Sequence, residues 1–323
     1  MFCMTDVTLL KSIETIEAAD AVLGLAVHHN KLFVLRKRDD KQLHVYDTDD
    51  YRLQYTVTIP GLQPVTYNDD YDFKDYRLQY TVTIPDLQPV TYNDYDFTDY
   101  RLQYTVTIPG MQKERYNDLT ECATENCLFV SDFAAKCVYK VKPNAEQRVS
   151  KFIDVPYQPK GLSITPEGNL LVACNPNKLV EYNVTTGEKV CELELHLEVK
   201  CPLHAVKRSD GQYVVCHTDE RLSRVCRVGK DGYYRHCYGG LTGKGDDQLN
   251  YACHVAVCEN DDVIVADSRN NRLVLLDKSM EFVESLAEDF REPHRVWFDR
   301  ESRRLYVGEC AGSSCVKVFN VIQ

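Results

Sequence analysis

The stretch HVAVCENDDVIVADSRNNRLVLLDKSMEF, residues 254–282, decides the fold of this chain. Alternating apolar residues after His254 predict a strand, and a polar turn separates them from a second apolar run, Val263–Ala266. After a further polar turn, Arg272–Leu276 predicts a third strand. Such a meander has two apolar faces, so it is stable only when further copies of itself pack against both sides.

Segments along the whole chain repeat this pattern of strand, polar turn and strand, and each is followed by a third apolar strand. The last five openings are separated by 42, 43, 50 and 40 residues. A period of this length with short strands is typical of propeller blades. We therefore predict an all-β fold, a six-bladed β-propeller of four-stranded antiparallel blades. The six segments open at Leu23, Leu119, Gly161, His204, His254 and His294.

The interval between the first two openings, 96 residues, departs from this period. It contains DYRLQYTVTIP three times, in units that begin at Asp50, Asp75 and Asp99. Without the first two units, of 25 and 24 residues, the interval falls to 47, an ordinary blade length. We interpret 1–323 as one propeller domain in which 50–98 is a tandemly duplicated strand and loop between blades 1 and 2. The extra copies form edge strands outside blade 1, or an acidic, tyrosine-rich excursion, or they arise from a gene-model error.

The two ends of the chain are predicted to meet in one sheet. The last repeat has no outer strand, because only three residues follow Asn320. Val7–Ile16 precedes the first repeat and can supply the missing strand. We predict that this N-terminal strand joins the last blade, which closes the ring and removes a free sheet edge.

Composition limits the compartment and the partners. The net charge of −11 argues against a general DNA or RNA binder, and no apolar run approaches the ~18 residues of a membrane span. The N-terminus lacks the basic region of a signal peptide. We expect a cytoplasmic monomer without a membrane contact, a DNA partner or a cofactor.

The fourteen cysteines do not form a recognisable metal motif. There is no CxxC pair, and the three C-x4-C pairs begin at Cys122, Cys253 and Cys310. An odd separation along one strand places two side chains on opposite faces, which is poor geometry for a shared metal. We expect most of these cysteines to be reduced, small apolar core residues rather than a disulfide or zinc framework.

The fifth repeat resembles a known propeller family. VIVADSRNNRLVLLDKSMEF (Val263–Phe282) is similar to the NHL repeat, in which an apolar strand ends in Ala-Asp and an Asn-rich turn, Arg and a second apolar strand follow. The resemblance extends as architecture over Val7–Asn320, although the other repeats match more weakly. It implies an NHL-type propeller like the C-terminal part of tripartite-motif ubiquitin ligases, which recognises protein or RNA. This chain has no room for a RING, B-box or coiled coil, so we expect the recognition module alone.

Three histidines occupy the same place in successive repeats. His204, His254 and His294 each open the innermost strand of a blade, so they are candidates for the channel mouth. Converging imidazoles can bind a metal, but strand-capping histidines are the more common case, and we expect no metal here.

A metal-dependent hydrolase is the enzymatic alternative. Six-bladed gluconolactonase relatives hold a divalent cation in the channel with Glu, Asn and Asp. Residues of these types end the second strands of several blades here, although such positions also favour Asx residues for turn formation. They are Asp132, Asn175, Asp267 and Glu309.

Basic residues mark a second alternative, single-stranded RNA binding on one propeller face, which needs positive charge and stacking aromatics. Our main hypothesis is a non-catalytic scaffold that recognises another protein through the loops of one face. The candidates for a binding face are Arg36, Lys37, Arg38, Lys207, Arg208, Arg269 and Arg272.

Overall fold

The computed structural model describes nine stretches of the chain. These are residues 8–17, 21–36, 43–57, 118–142, 149–219, 221–258, 260–286, 290–311 and 315–322. Their strands form six four-stranded antiparallel sheets. Within these stretches, no helix has the length and apolar character needed to cross a membrane.

Each of the first five blades is built from four consecutive strands, ordered from the channel outwards. Blade 1 is β2 (Val22–His28), β3 (Lys31–Arg36), β4 (Leu43–Asp47) and β5 (Leu53–Val57). Blade 2 is β6 (Leu119–Cys122), β7 (Cys127–Asp132), β8 (Cys137–Val141) and β9 (Val149–Asp154). Blade 3 is β10 (Gln158–Ile164), β11 (Asn169–Asn175), β12 (Lys178–Asn183) and β13 (Lys189–Glu194).

Blades 4 to 6 repeat this arrangement. Blade 4 is β14 (Pro202–Lys207), β15 (Tyr213–Thr218), β16 (Leu222–Val228) and β17 (Tyr234–Leu241). Blade 5 is β18 (Ala252–Val257), β19 (Val263–Asp267), β20 (Arg272–Leu276) and β21 (Phe282–Leu286). Blade 6 is β22 (Pro293–Asp299), β23 (Arg304–Glu309), β24 (Cys315–Ile322) and β1 (Thr8–Glu17).

The apolar runs of blade 5 are buried on both faces, as stacked sheets require. Val265 and Val274 are fully buried in one cluster with Val225 of blade 4 and Val307 of blade 6. Burying one such side chain stabilises the fold by roughly 1.5–3 kcal/mol. This explains why the second and third strands read as continuous apolar runs rather than as alternating ones.

The ring closes as the sequence predicts. β1 pairs antiparallel with β24, from Thr8 opposite Ile322 to Glu17 opposite Cys315. The outermost strand of the last blade therefore comes from the start of the chain, and this confirms the predicted closure.

The duplicated region falls mostly outside the described residues. β5 contains the first copy of the repeated strand and is the outer strand of blade 1, paired with β4. The remainder of the predicted insertion 50–98 lies in 58–117, which the structure does not describe.

The cysteines are mostly unpaired core residues, with one exception. Cys226 and Cys237 face each other across β16 and β17 and form a disulfide. The other described cysteines are free, and most of them are buried. The spacing argument placed Cys122 and Cys127 on one strand. In the structure they lie on different strands, opposite each other across the β6–β7 hairpin.

Candidate functional site in the central channel

The six innermost strands place one residue each at an equivalent position, which we call the channel ring. In blades 1, 4, 5 and 6 the ring residue follows a β-bulge; it pairs with the penultimate residue of the second strand in blades 1, 5 and 6, and with the third residue from the end in blade 4. In blade 2 it directly precedes β6, and in blade 3 it lies inside the bulge of β10. The channel ring consists of Gly24, Asp118, Lys160, His204, His254 and Arg295.

Asp118 is the electrostatic centre of the channel ring. Its side chain is 1 % exposed, and its Oδ1 atom lies 3.2 Å from Nε of Arg295. Oδ2 lies 3.7 Å from Nε2 of His204 and 3.6 Å from Nε2 of His254, and it accepts a 2.8 Å hydrogen bond from the Leu162 N–H. One carboxylate of blade 2 thus contacts blades 3, 4, 5 and 6.

The charges around Asp118 keep it ionised. Burial alone raises the pKa of this carboxyl, but the Arg295 guanidinium, and after it His254 and His204, lower the pKa well below its usual range. A buried carboxylate is stable only with such partners, because desolvation of an isolated charge is costly.

His204 and His254 stack against each other beside this carboxylate. Their ring centroids are 3.6 Å apart, and Nε2 of His204 lies 3.0 Å from the Leu162 carbonyl oxygen, which it can reach only as a donor. Burial lowers the pKa of His204 to about 3, and burial also lowers that of His254. Both imidazoles are therefore neutral near pH 7.

His294 does not occupy the ring position at which the sequence alignment placed it. Arg295 pairs with Gly308 where His254 pairs with Ala266, so Arg295 is the equivalent residue. The alignment matched His294 to His254 as opening histidines, whereas the strand pairing puts the equivalent position one residue later. His294 instead stacks on Tyr251, with centroids 6.1 Å apart.

The channel ring contains a set of metal-ligating atoms, but Arg295 changes its chemistry. Among the described residues, the one group brought close enough to hold a metal is Asp118, His204 and His254, with ligand atoms within 4.8 Å of one another. The Arg295 guanidinium already neutralises that carboxylate, and a divalent cation there would meet a positive charge at contact distance. The arrangement favours an ion-pair network over a metal centre.

The residues considered for a lactonase-like site end the second strands of four blades. Asp132 accepts a hydrogen bond from the Ala135 N–H at 2.9 Å, and Glu309 accepts one from the Arg291 N–H at 3.0 Å. Asp267 accepts a hydrogen bond from Arg272, and Asn175 is the last residue of β11. No metal-ligating cluster among the described residues includes any of the four.

Of the two candidate basic residues in blade 4, Lys207 is partly buried and Arg208 is buried. Lys207 Nζ lies 3.0 Å from Glu181 Oε1 and 3.1 Å from Glu167 Oε1. Arg208 is 6 % exposed, and its Nη1 donates a 2.6 Å hydrogen bond to the Lys278 carbonyl of blade 5. These side chains hold neighbouring strands together.

The NHL-like turn of blade 5 is likewise internal. Arg272 donates from Nε to Asp267 Oδ2 at 2.7 Å and from Nη2 to the carbonyls of Gly245 and Gln248. Asp267 also accepts the Asn250 N–H at 2.6 Å. The pair therefore anchors the loop between blades 4 and 5.

Of the remaining basic candidates, the two that the structure describes, Arg36 and Arg269, belong to different blades. Arg36 is buried and donates a hydrogen bond to the Tyr46 hydroxyl. Lys37 and Arg38 lie outside the described residues. Arg269 is exposed, and its guanidinium lies 5.1 Å from the Tyr251 ring centroid.

A small pocket opens between the channel ring and Tyr251. Its volume is about 10 Å³, and Lys160, Arg295 and His294 are its polar lining residues. Leu203, Cys253 and Tyr251 form the remaining wall. Sequence analysis did not single out Asp118, Lys160 or Arg295, because the distance from the ring residue to the end of the second strand differs between blades.

A separate group of exposed side chains lies on the outer edge between blades 3 and 4. Leu197, Tyr233 and Tyr234 are 71 %, 54 % and 37 % exposed. The ring of His196 lies 5.0 Å from that of Tyr233 and 6.0 Å from that of Tyr234, and Leu197 follows His196 in the chain. We call these four residues the rim patch. The His196 N–H donates to the Gly232 carbonyl at 2.9 Å, which fixes the loop against blade 4.

Comparison with known proteins shows the fold. No family model and no curated protein sequence matches the chain. The β-propeller domain of Myceliophteria thermophila Cps50 (Swd1) is 12 % identical with a TM-score of 0.56, covering 97 % of this chain and 99 % of that one. Virginiamycin B lyase from Staphylococcus aureus is 10 % identical with a TM-score of 0.55, covering 97 % and 98 %.

A protein of unknown function from Bacteroides thetaiotaomicron gives a TM-score of 0.61 at 14 % identity, over 98 % of this chain and 72 % of that one. At such identities the neighbours support the propeller architecture and no particular activity. The predicted six-bladed β-propeller is confirmed, whereas the NHL assignment stays a prediction.

Proposed function

We propose that this protein is a non-catalytic scaffold that binds another protein through the rim patch. The rim patch carries the proposal. It presents two tyrosines, a leucine and a histidine on a rigid blade edge, and large aromatic side chains of this kind are enriched at protein interfaces. Exposed apolar side chains that cluster on one surface mark interaction sites.

The chemistry of the channel supports a non-catalytic role. Asp118 and His204 are 1 % and 2 % exposed, and they contact each other, Arg295 and Leu162. The adjoining pocket, at about 10 Å³, holds roughly one water molecule. Within the described part of the chain, these groups are therefore enclosed by one another and by the neighbouring inner strands.

Charge favours a protein over RNA as the partner. Lys207, Arg208 and Arg272 are committed to carboxylates or carbonyls inside the fold, and the chain carries a net charge of −11. RNA affinity depends on cations that can reach phosphates. The NHL-like turn of blade 5 and the many free cysteines support the related proposals of a tripartite-motif-like recognition module and a cytoplasmic location.

The experiment is retention of partners from lysate, with and without ribonuclease. It compares the unmodified chain with the double variant L197S/Y233S and with the control Val190→Ser. Val190 is a suitable control because it is also an exposed apolar residue (52 %), on β13. We expect specific proteins to stay bound to the unmodified chain and the control after ribonuclease, and to be lost from the double variant. Equal retention by all three chains contradicts the rim-patch proposal, and retention abolished by ribonuclease assigns the partner as RNA.

A further inference from the structure

The outer edge of blade 4 contains a disulfide. Cys226 of β16 and Cys237 of β17 lie directly opposite each other, and their sulfur atoms are bonded. The eleven other cysteines that the structure describes are free. In compartments where cysteines stay reduced, disulfides are usually transient, catalytic or redox-sensing.

The two bonded cysteines differ in exposure. Cys226 is fully buried, in a cluster with Leu179 of blade 3 and Val215 of blade 4. Cys237 is half-buried and packs against the same cluster from the outermost strand. Thiol–disulfide exchange begins when a thiolate attacks one sulfur, and it requires access to that sulfur. A thiol in solution therefore reaches this bond at Cys237.

A histidine lies beside the buried sulfur. Nε2 of His217, on β15, is 3.6 Å from Sγ of Cys226, and His217 is fully buried. A disulfide sulfur has no hydrogen, so the ring nitrogen is the donor in this contact. An N–H donor stabilises the thiolate that a breaking disulfide leaves behind, and a more stable leaving group leaves faster. Attack at Cys237, with Cys226 as the leaving group, is therefore the favoured direction.

Cys122 and Cys127 form a comparison pair in the same chain. They also lie directly opposite each other in adjacent antiparallel strands, yet both are free. They are 1 % and 0 % exposed, so neither is open to a thiol from solution. A cross-strand position alone therefore does not set the oxidation state of a cysteine pair in this fold.

We propose that the Cys226–Cys237 disulfide is a reversible exchange site for small thiols of the glutathione class. The incoming thiolate attacks Sγ of Cys237, so a bond forms between these two sulfurs and the Cys226–Cys237 bond breaks. The electron pair of the broken bond stays on Cys226, which takes up the proton that the incoming thiol lost. A second thiol then attacks the sulfur of the bound one, and Cys237 leaves as a thiol. Two small thiols are thereby oxidised to one disulfide, and oxidised glutathione re-forms the protein disulfide by the reverse steps.

Reduction changes how β17 is held. This strand pairs with β16, and the pairing has an irregularity between Arg227 and Val228, where Tyr234 begins the strand. Without the disulfide, strand pairing and packing alone hold this end of β17, and it opens more often. Tyr234 belongs to the rim patch, so reduction loosens part of that surface. The exchange itself does not depend on whether the rim patch binds a protein.

The redox state is measured on the purified full-length chain, near neutral pH, in a series of buffers that differ in the ratio of reduced to oxidised glutathione. Samples are quenched with acid, unfolded and alkylated, and peptide mass spectrometry gives the thiol fraction of each cysteine. We expect Cys226 and Cys237 to change together from disulfide to thiols, at the same ratio from either starting state, while circular dichroism shows a folded chain. Cys122 and Cys127 should remain thiols throughout.

Three results of this titration overturn the proposal. The first is a Cys226–Cys237 bond that stays closed in reduced glutathione alone. The second is a bond that opens only when the chain unfolds. The third is oxidation of Cys122 and Cys127 at the same glutathione ratio, because it would show that exposure does not govern the exchange.

Single variants test the direction of attack. In Cys226→Ser, Cys237 is left as a thiol and should form a mixed disulfide with oxidised glutathione. In Cys237→Ser, the buried Cys226 should react more slowly, by about tenfold or more. Equal reaction of the two variants, or no reaction at Cys237, overturns the assignment of Cys237 as the attacked sulfur.

Two substitutions of His217 test the donor. His217→Leu removes it, and His217→Gln keeps an N–H group. We expect glutathione to reduce the leucine variant about tenfold more slowly than the unmodified chain, and the glutamine variant at a rate closer to that of the unmodified chain. Equal rates for the two variants, at equal thermal midpoints, would show that His217 does not assist the exchange.

Hydrogen exchange measures the effect on β17. Its amides should exchange faster in the reduced chain than in the oxidised one, by about tenfold or more. The amides of β9, the outermost strand of blade 2, should exchange equally in both states. Equal protection of β17 in the two states contradicts the loosening of the rim patch.

Discussion

Nε of Arg295 lies 3.2 Å from Oδ1 of Asp118, which joins blade 6 to blade 2 across the channel. These two residues are far apart in the sequence and belong to blades that are not neighbours in the ring. Because both side chains are almost fully buried, neither charge is tolerated without the other. The pair is therefore a structural clasp of the propeller, and His204 and His254 complete its surroundings.

Asp118→Asn tests this clasp. The amide is close in size to the carboxylate but leaves the Arg295 charge buried without its counterion, so we expect a loss of about 3–5 kcal/mol in the free energy of unfolding. Asp154→Asn is the control, because Asp154 is an exposed partner of Lys151 and such pairs contribute about 0–1 kcal/mol. Urea unfolding monitored by the single tryptophan, Trp297, measures both variants. Equal stability of the two variants would disprove the clasp.

Acidification should destabilise the fold through its buried histidines. Burial lowers the pKa of His204 to about 3 and of His217 to about 4, and it lowers that of His254. In the unfolded chain these histidines bind a proton near pH 6.5, whereas in the folded chain they stay neutral to lower pH. The folded state therefore loses none of its stability to histidine protonation above pH 6.5, and it becomes less stable as the pH falls below that value. We expect losses of up to about 1.4 kcal/mol per pH unit for each histidine, measured by urea unfolding between about pH 7.5 and pH 5. A flat profile contradicts this.

His28 should behave in the opposite way. Burial lowers its pKa, but contacts with Glu121 at 3.1 Å and Asn126 at 2.7 Å outweigh burial and leave the pKa raised. Its contribution is therefore complete below about pH 6.5 and is lost as the pH rises through its folded-state pKa. His28→Gln should steepen the loss of stability on acidification, and an unchanged or shallower pH profile would show that the sign is wrong.

Substitution of the two arginines of the NHL-like turn should reduce the stability of the fold by very different amounts. Arg272→Ala leaves the buried Asp267 without its counterion and releases the loop held at Gly245 and Gln248, so we expect a loss of about 3–5 kcal/mol. Arg269→Ala removes an exposed side chain three residues away and should cost about 0.5 kcal/mol or less. Thermal unfolding of the two variants gives the comparison, and similar midpoints would mean that the turn arginine has no structural role.

Much of the fold was predictable, because repeated apolar strands specify blades and the ends of the chain specify closure. The residues of the channel ring were harder to predict, because alignment of the opening histidines placed His294 where the strand pairing puts Arg295. The burial of Arg208 was not visible either. Arginine is usually exposed, and its main-chain acceptor, Lys278, lies 70 residues away in the next blade.

Removal of the N-terminal strand should weaken the whole ring. Without residues 1–17, β24 loses the partner that pairs with it from Cys315 to Ile322 and becomes a free sheet edge. We expect the truncated chain to have a lower thermal midpoint than the full chain, measured by calorimetry. We also expect it to associate in a concentration-dependent way, measured by light scattering, whereas the full chain does not. A truncated chain that stays monomeric with an unchanged midpoint would refute closure by this strand.

The central claim, that the channel cluster is an ion-pair network holding the ring together, is tested most directly by a double-mutant cycle on Asp118 and Arg295. The free energy of unfolding is measured for D118N, for R295M and for the double variant. We predict that the double variant loses less than the sum of the single losses, by at least about 1.5 kcal/mol, because each single change strands the other charge. Losses that add to within about 0.5 kcal/mol would mean that the two residues are independent, and would contradict the account.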